Sequence, residues 1–199
     1  MLKVILVGVL FFCSTLTQAK SIVVLGDSIS ASYGFEVQHG WVALMAKQLA
    51  SSHPDYTVHN ASISGDTTAG GLARLPQILT RYQPEILILE LGANDGLRGL
   101  SLKNMQQNLT AIIEQAKKSG AKVLLLTMRI PSNYGKRYTD MFYTSYEKIA
   151  KKSNITLVPF ILEGVALDKS QIQRDGLHPN EIAQTVIANN IVPYLLPLL

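Results

Sequence analysis

Three short, nearly unbroken apolar runs constrain the fold of this chain more than any other feature. They are SIVVLG (Ser21–Gly26), EILILELG (Glu85–Gly92) and KVLLLTM (Lys122–Met128). Each is too short for a packed helix and lacks the alternation of a strand with one wet face. Such runs belong to a parallel sheet covered on both sides. Weaker strands are expected at Tyr56–Ala61 and Ile155–Phe160. Amphipathic stretches separate them. Leu72, Leu75, Ile78 and Tyr82 share one helical stripe, although Pro76 inside it is a helix-breaking signal. Met105, Leu109, Ile112, Ile113 and Ala116 form another, which Gly120 is placed to end. Trp41–Ala50 and Arg137–Lys152 also read as helices. Ile182, Ala183, Val186, Ile187 and Ile191 mark a closing one, with Pro179 suited to its first turn. Five strands alternating with five helices predict an α/β protein, a doubly wound three-layer sandwich. In such a sheet reactive groups belong on loops beyond the carboxyl ends of the strands.

Composition narrows the function classes. The chain has 199 residues, 47% hydrophobic and 16% charged, which suits one packed domain rather than a disordered chain. Its single cysteine, Cys13, excludes a disulfide framework and cysteine-built zinc sites. His39, His53 and His59 have no metal-ligand spacing with carboxylates, so no metal is expected. The aromatic residues form no stacking pattern for nucleic acid. The net charge of +4 is small and forms no cluster. At the amino end, Lys3, the apolar run Val4–Phe12 and the small-x-small site Thr17-Gln18-Ala19 form a secretion-signal pattern over residues 1–19. The run is too short to span a bilayer, which takes about 20 apolar residues. Cleavage after Ala19 would leave a thiol-free single domain over residues 20–199, suited to a periplasmic or extracellular setting.

The unusual residues fall after the predicted strands. GDSIS follows the first and carries Ser28; NASISGD (Asn60–Asp66) follows the second; ELGANDG (Glu90–Gly96) closes the third; DGLHPN (Asp175–Asn180) comes after the fifth. A serine hydroxyl is a poor nucleophile until a base takes its proton, and the His178 imidazole can be that base. Asp175, three residues earlier, can fold its carboxylate onto the imidazole Nδ1–H and fix the tautomer. The Ser28 N–H, the Gly65 N–H and the Asn94 amide are candidate donors for an oxyanion. Taken singly, each motif is an ordinary turn or helix cap. Their shared strand-end position and complementary chemistry point to a hydrolase. No Gly-x-Ser-x-Gly elbow, Walker loop or dinucleotide glycine pattern is present.

At these residues the sequence resembles the SGNH hydrolases, also called GDSL esterases/lipases. The four signature residues of that name correspond to Ser28, Gly65, Asn94 and His178, and Asp175 to the triad acid. NASISGDT, GLARLP (Gly71–Pro76), ELGANDGLRG, MRIPSNYG (Met128–Gly135) and DGLHPN are similar to the bacterial periplasmic thioesterase I / protease I / lysophospholipase branch, over Ser21–Pro197. Ile29 stands where the motif has Leu, and Ala93 where Gly is frequent. The resemblance implies a flavodoxin-like sheet of order 2-1-3-4-5. It implies a monomer that hydrolyses acyl esters, acyl-CoA thioesters and lysophospholipids with no cofactor, no nucleic-acid partner and no stable membrane insertion. It further implies a mobile loop Asp95–Leu100, whose Asp95, Gly96 and Leu97 meet the substrate, and an acyl groove lined by Ile130, Pro131 and Tyr134. The alternatives are a lipid- or fatty-acid-binding module on the same scaffold and a carbohydrate O-acetylesterase.

Overall fold

The structure, a computed structural model, describes residues 19–199. The expected secretion signal lies, apart from Ala19, outside the described residues. Five parallel strands form one sheet: β1 (Lys20–Gly26), β2 (Tyr56–Asn60), β3 (Ile86–Glu90), β4 (Lys122–Thr127) and β5 (Thr156–Phe160), in the order β2-β1-β3-β4-β5. The helices are α1 (Trp41–Ser52), α2 (Thr68–Tyr82), α3 (Ala93–Leu97), α4 (Leu102–Lys118), α5 (Lys136–Ser153) and α6 (Gln184–Leu195). Helices α1 and α6 pack together, while α2, α4 and α5 form the other layer. The expected α/β sandwich and strand order are therefore present.

Burial follows strand position. Ile22–Leu25 of β1 and Ile86–Leu89 of β3 are wholly buried, because helices cover both faces of the central strands. Strands β2 and β5 lie at the edges and are partly exposed, so their sequence signal is weaker. Pro159 sits in β5, where the register slips opposite Leu126 and Thr127. An edge strand with a bulge is where a residue lacking an N–H is tolerated. Shortening a central side chain should be costly. Ile88→Ala is expected to lower the unfolding free energy by about 2–5 kcal/mol in a urea titration.

Helix α2 forms as its stripe predicts, and the closing helix needs correction. Pro76 does not interrupt α2; it lies on the solvent face, where water can serve the Leu72 carbonyl that loses its donor. The closing helix starts later than its apolar pattern suggests. Glu181–Ala183 is a single 3₁₀ turn capped by the Asn180 side chain, which accepts from Ile182 N–H at 3.0 Å. Ile182 is 73% exposed and stands outside the core. Pro179 precedes the cap and pairs in an isolated antiparallel bridge with Ile172.

The topology sets where a site can form. The chain runs from β1 outward to β2, then returns past β1 to β3. The connections after β1 and β3 therefore diverge to opposite faces, opening a crevice beyond their carboxyl ends. Asp27 and Ser28 follow β1 directly, and Asn94 follows β3.

Candidate active site

The loop after β1 is held from several sides. Gly26 lies opposite Glu90 in the sheet, and a Cβ at Gly26 would come within 2.7 Å of Glu90 Oε2 and of Ser30 Oγ. Only glycine allows this approach. Arg74 of α2 donates to the Gly26 carbonyl at 3.3 Å, to the Ala61 carbonyl, and through Nε to Asp66 at 2.8 Å. It thus ties the nucleophile loop to the loop after β2. Ile63 N–H bonds the Gly26 carbonyl at 3.1 Å, carrying the chain of Gly65 along the β1 terminus.

Ser28 and His178 meet across 150 residues of chain, with Oγ 2.9 Å from Nε2. His178 Nδ1 lies 2.7 Å from Asp175 Oδ2. Asp175 Oδ1 also accepts the backbone N–H groups of Leu177 and His178 at 2.9 and 3.0 Å. Burial works against ionisation of Asp175, but these N–H donors and the imidazole outweigh it and hold its carboxyl below the usual range. The Tyr33 ring covers the His178 ring at a centroid distance of 4.6 Å. Gln173 brackets the same loop. Its Nε2 donates to the Tyr33 and Pro179 carbonyls at 2.7 and 3.0 Å, and its N–H donates to the His178 carbonyl at 2.8 Å. Among the described residues, neither the Ser28 nor the Gly65 N–H has an acceptor. Gly65 adopts φ +80°, a conformation that suits glycine. Asn94 Nδ2 donates to Asp27 Oδ2 at 3.1 Å.

Beside Ser28 runs a groove of about 960 Å³ whose wall includes Leu97, Met128, Ile130, Pro131, Phe160, Leu162 and Leu167. Leu97, Ile130 and Pro131 are among the residues expected to meet the substrate; three others lie off this wall. Asp95 is buried and turns away from the groove to accept Thr68 N–H at 2.8 Å and the Thr68 hydroxyl at 2.6 Å. It lies in the short helix α3 rather than in a loop. Gly96 is also buried, and a Cβ there would lie 2.7 Å from Phe142 and 2.8 Å from Ile130. Its smallness lets Ile130 pack beneath the groove. Tyr134 stands outside the groove wall, and its hydroxyl donates to the Leu97 carbonyl at 2.9 Å. Sequence reasoning missed Asp27, Tyr33, Arg74, Glu90 and Gln173. Asp27 and Arg74 lie inside motifs that were noticed; Tyr33 and Gln173 carry no local signal.

Glu90 is fully buried at the end of β3. Burial pushes its carboxyl well above the usual range, and the nearby Asp27 adds to this. Among the described residues its Oε1 has no partner, which fits a neutral acid better than a charged one. A carboxyl whose folded pKa is raised adds stability fully below its unfolded value, near pH 4, and loses it as pH rises through the folded value. Glu90→Gln needs no such proton. Its melting temperature relative to the natural protein should therefore rise as pH climbs above the unfolded carboxyl value, as measured by differential scanning calorimetry. Among the described residues, no cluster of His, Cys, Asp or Glu could hold a metal ion.

Fold and site together define an α/β serine hydrolase with its machinery at the switch point of the sheet. The chain belongs to the GDSL-like Lipase/Acylhydrolase family, whose model matches residues 24–186. It is thus an enzyme, an SGNH-type serine hydrolase. It is 49% identical over 181 residues to "Esterase TesA" of Pseudomonas aeruginosa, covering 91% of this chain and 90% of that one. It is 47% identical over 189 residues to "Arylesterase" of Vibrio mimicus, covering 94% of each. Identity to "Thioesterase 1/protease 1/lysophospholipase L1" of Escherichia coli strain K12 is 43% over 180 residues, covering 90% of this chain and 85% of that one. A crystal structure of TesA superposes with a TM-score of 0.88, covering 90% of this chain and 100% of that one at 49% identity.

Proposed function

We propose that Ser28 is the nucleophile of a two-step acyl transfer to water, with His178 as base and Asp175 as its orienting acid. The continuous contact Ser28 Oγ–His178 Nε2–Nδ1–Asp175, at 2.9 and 2.7 Å, is the observation that carries this reading. The substrate carbonyl sits with its oxygen toward the Ser28 N–H, the Gly65 N–H and the Asn94 amide. His178 takes the Ser28 proton as Oγ attacks the carbonyl carbon. The tetrahedral intermediate then collapses, breaking the bond to the alcohol or thiol, and His178 returns the proton to the leaving group where its basicity requires one. Water attacks the acyl-Ser28 ester, His178 accepts its proton, and the carboxylic acid departs with Ser28 restored.

Small-molecule carboxylic esters and thioesters are the substrates this reading favours, acyl-CoA and lysophospholipids among them. The apolar groove supports an acyl chain, each buried methylene contributing about 0.8 kcal/mol before ordering costs. Nucleophile, base, acid and donors all come from one chain, which supports a monomer without a cofactor. The amino-terminal pattern supports export to the periplasm or beyond. Among the described residues no helix is long and apolar enough to cross a membrane.

Labelling with a fluorophosphonate, followed by peptide mass spectrometry, tests the reading. The adduct is expected on Ser28. A panel of p-nitrophenyl esters, acyl-CoA and lysophosphatidylcholine should show turnover with acyl chains long enough to fill the groove. A protein that binds fatty acid yet resists the probe and turns over none of the panel would be a binding module instead. Turnover confined to acetylated sugars would indicate an O-acetylesterase.

A further inference from the structure

Two buried carboxyl groups lie beneath the nucleophile and take no part in the steps above. Asp27 precedes Ser28 and is 0% exposed; Glu90 ends the neighbouring strand and is equally buried. Glu90 Oε2 accepts the Asp27 N–H at 3.1 Å and the Ser30 hydroxyl at 2.7 Å. Asp27 Oδ1 accepts the Ile29 N–H at 3.1 Å, and its Oδ2 accepts Asn94 Nδ2 at 3.1 Å. We propose that Asp27 is a positioning residue whose carboxylate dictates which end of the Asn94 amide faces the reacting carbonyl, while Glu90 anchors the Asp27 backbone from below. This rests on the reading of Asn94 as an oxyanion donor.

The argument follows from donor and acceptor counts. An ionised carboxylate accepts hydrogen bonds and donates none. An amide beside it must turn its NH₂ group inward, because the flipped rotamer would set two oxygens against each other. The NH₂ has two hydrogens, so one bond to Asp27 leaves the second for a ligand. Rotation of the amide by half a turn would instead present its carbonyl oxygen to a developing oxyanion. Asp27 removes that choice before the substrate arrives, which is the preorganisation an oxyanion site needs.

Protonation should release the constraint. Around Asp27 lie Glu90 of β3, the His178 imidazole on the loop after β5, Arg74 of α2 on the adjoining Gly26 carbonyl, Asp95 of α3 and Tyr146 of α5, whose hydroxyl donates to the Leu91 carbonyl. Burial raises the Asp27 carboxyl to about 6, against the opposing pull of Ile29 N–H, the Asn94 amide and His178. Both its oxygens accept N–H donors, the pattern of an ionised carboxylate. A protonated Asp27 could donate to a flipped Asn94, and the amide would lose its set direction.

Asp27→Asn keeps the shape but cannot keep both acceptor contacts. Its NH₂ must face either the Ile29 N–H or the Asn94 NH₂. The test uses p-nitrophenyl butyrate, with rates normalised to Ser28 sites titrated by a fluorophosphonate. Asp27→Asn is expected to lower kcat about 10- to 100-fold, a fraction of the effect of removing a donor outright, with KM within about twofold. The double variant Asp27→Asn/Asn94→Ala should be no slower than Asn94→Ala. In the natural protein the acid limb of kcat/KM should involve two protons, and in Asp27→Asn one. Full turnover in Asp27→Asn beside a slow Asn94→Ala would overturn the positioning role and leave the oxyanion reading standing. Full turnover in Asn94→Ala would remove both. Multiplying effects in the double variant would show that Asp27 acts independently and overturn the proposal. Should Asp27→Asn fail to fold, a one-proton acid limb in the natural protein would overturn it as well.

Discussion

Ser28→Ala is expected to keep its fold and lose ester hydrolysis by about 10³-fold or more. The Ser28 hydroxyl bonds only His178 among the described residues, so its removal leaves the loop braced. Tyr33 N–H still bonds the Ser28 carbonyl at 3.1 Å, Asp27 N–H still bonds Glu90, and Tyr33 still covers the His178 ring. The melting temperature should therefore change little while the initial rate on p-nitrophenyl butyrate collapses. The loss should resist recovery at any pH, because alanine offers no oxygen for His178 to deprotonate. Adding His178→Ala should cost little more, since nucleophile and base act as one unit. A Ser28→Ala protein that retained a tenth of its turnover would place the nucleophile elsewhere.

Asn94→Ala is expected to lower kcat by about 10²- to 10³-fold with little change in KM. A donor aimed at the oxyanion strengthens its bond as charge moves onto the carbonyl oxygen, so it acts more on the transition state than on the bound substrate. Removing the amide should leave the groove wall of Met128, Ile130 and Phe160 intact, and with it most of the acyl-chain binding. Steady-state kinetics on one ester at several chain lengths would separate the two effects. A raised KM with unchanged kcat would make Asn94 a substrate-binding group instead.

Much of the fold was legible because its signals are local. The central strands are buried on both faces and read as continuous apolar runs. Helix α4 showed its stripe and its glycine stop. The edge strands were fainter, since half of each faces water. Helix α2 was legible from its stripe in spite of Pro76, which sits on the wet side of the helix. The start of the closing helix was missed because the Asn180 cap and the Ile172–Pro179 bridge depend on partners in the preceding loop.

The candidate site divides in the same way. The residue types and their strand-end positions were readable, as was the three-residue step from Asp175 to His178, because each rests on near neighbours in the chain. The tertiary structure alone decided that Ser28 and His178 stand 2.9 Å apart, that Asp95 turns inward to Thr68 rather than outward, and that Glu90 lies beneath Asp27 and accepts its N–H. Periodicity and backbone sterics act over a few residues and are written in sequence. The direction of a loop side chain depends on which distant group occupies the space beside it, and only packing supplies that group.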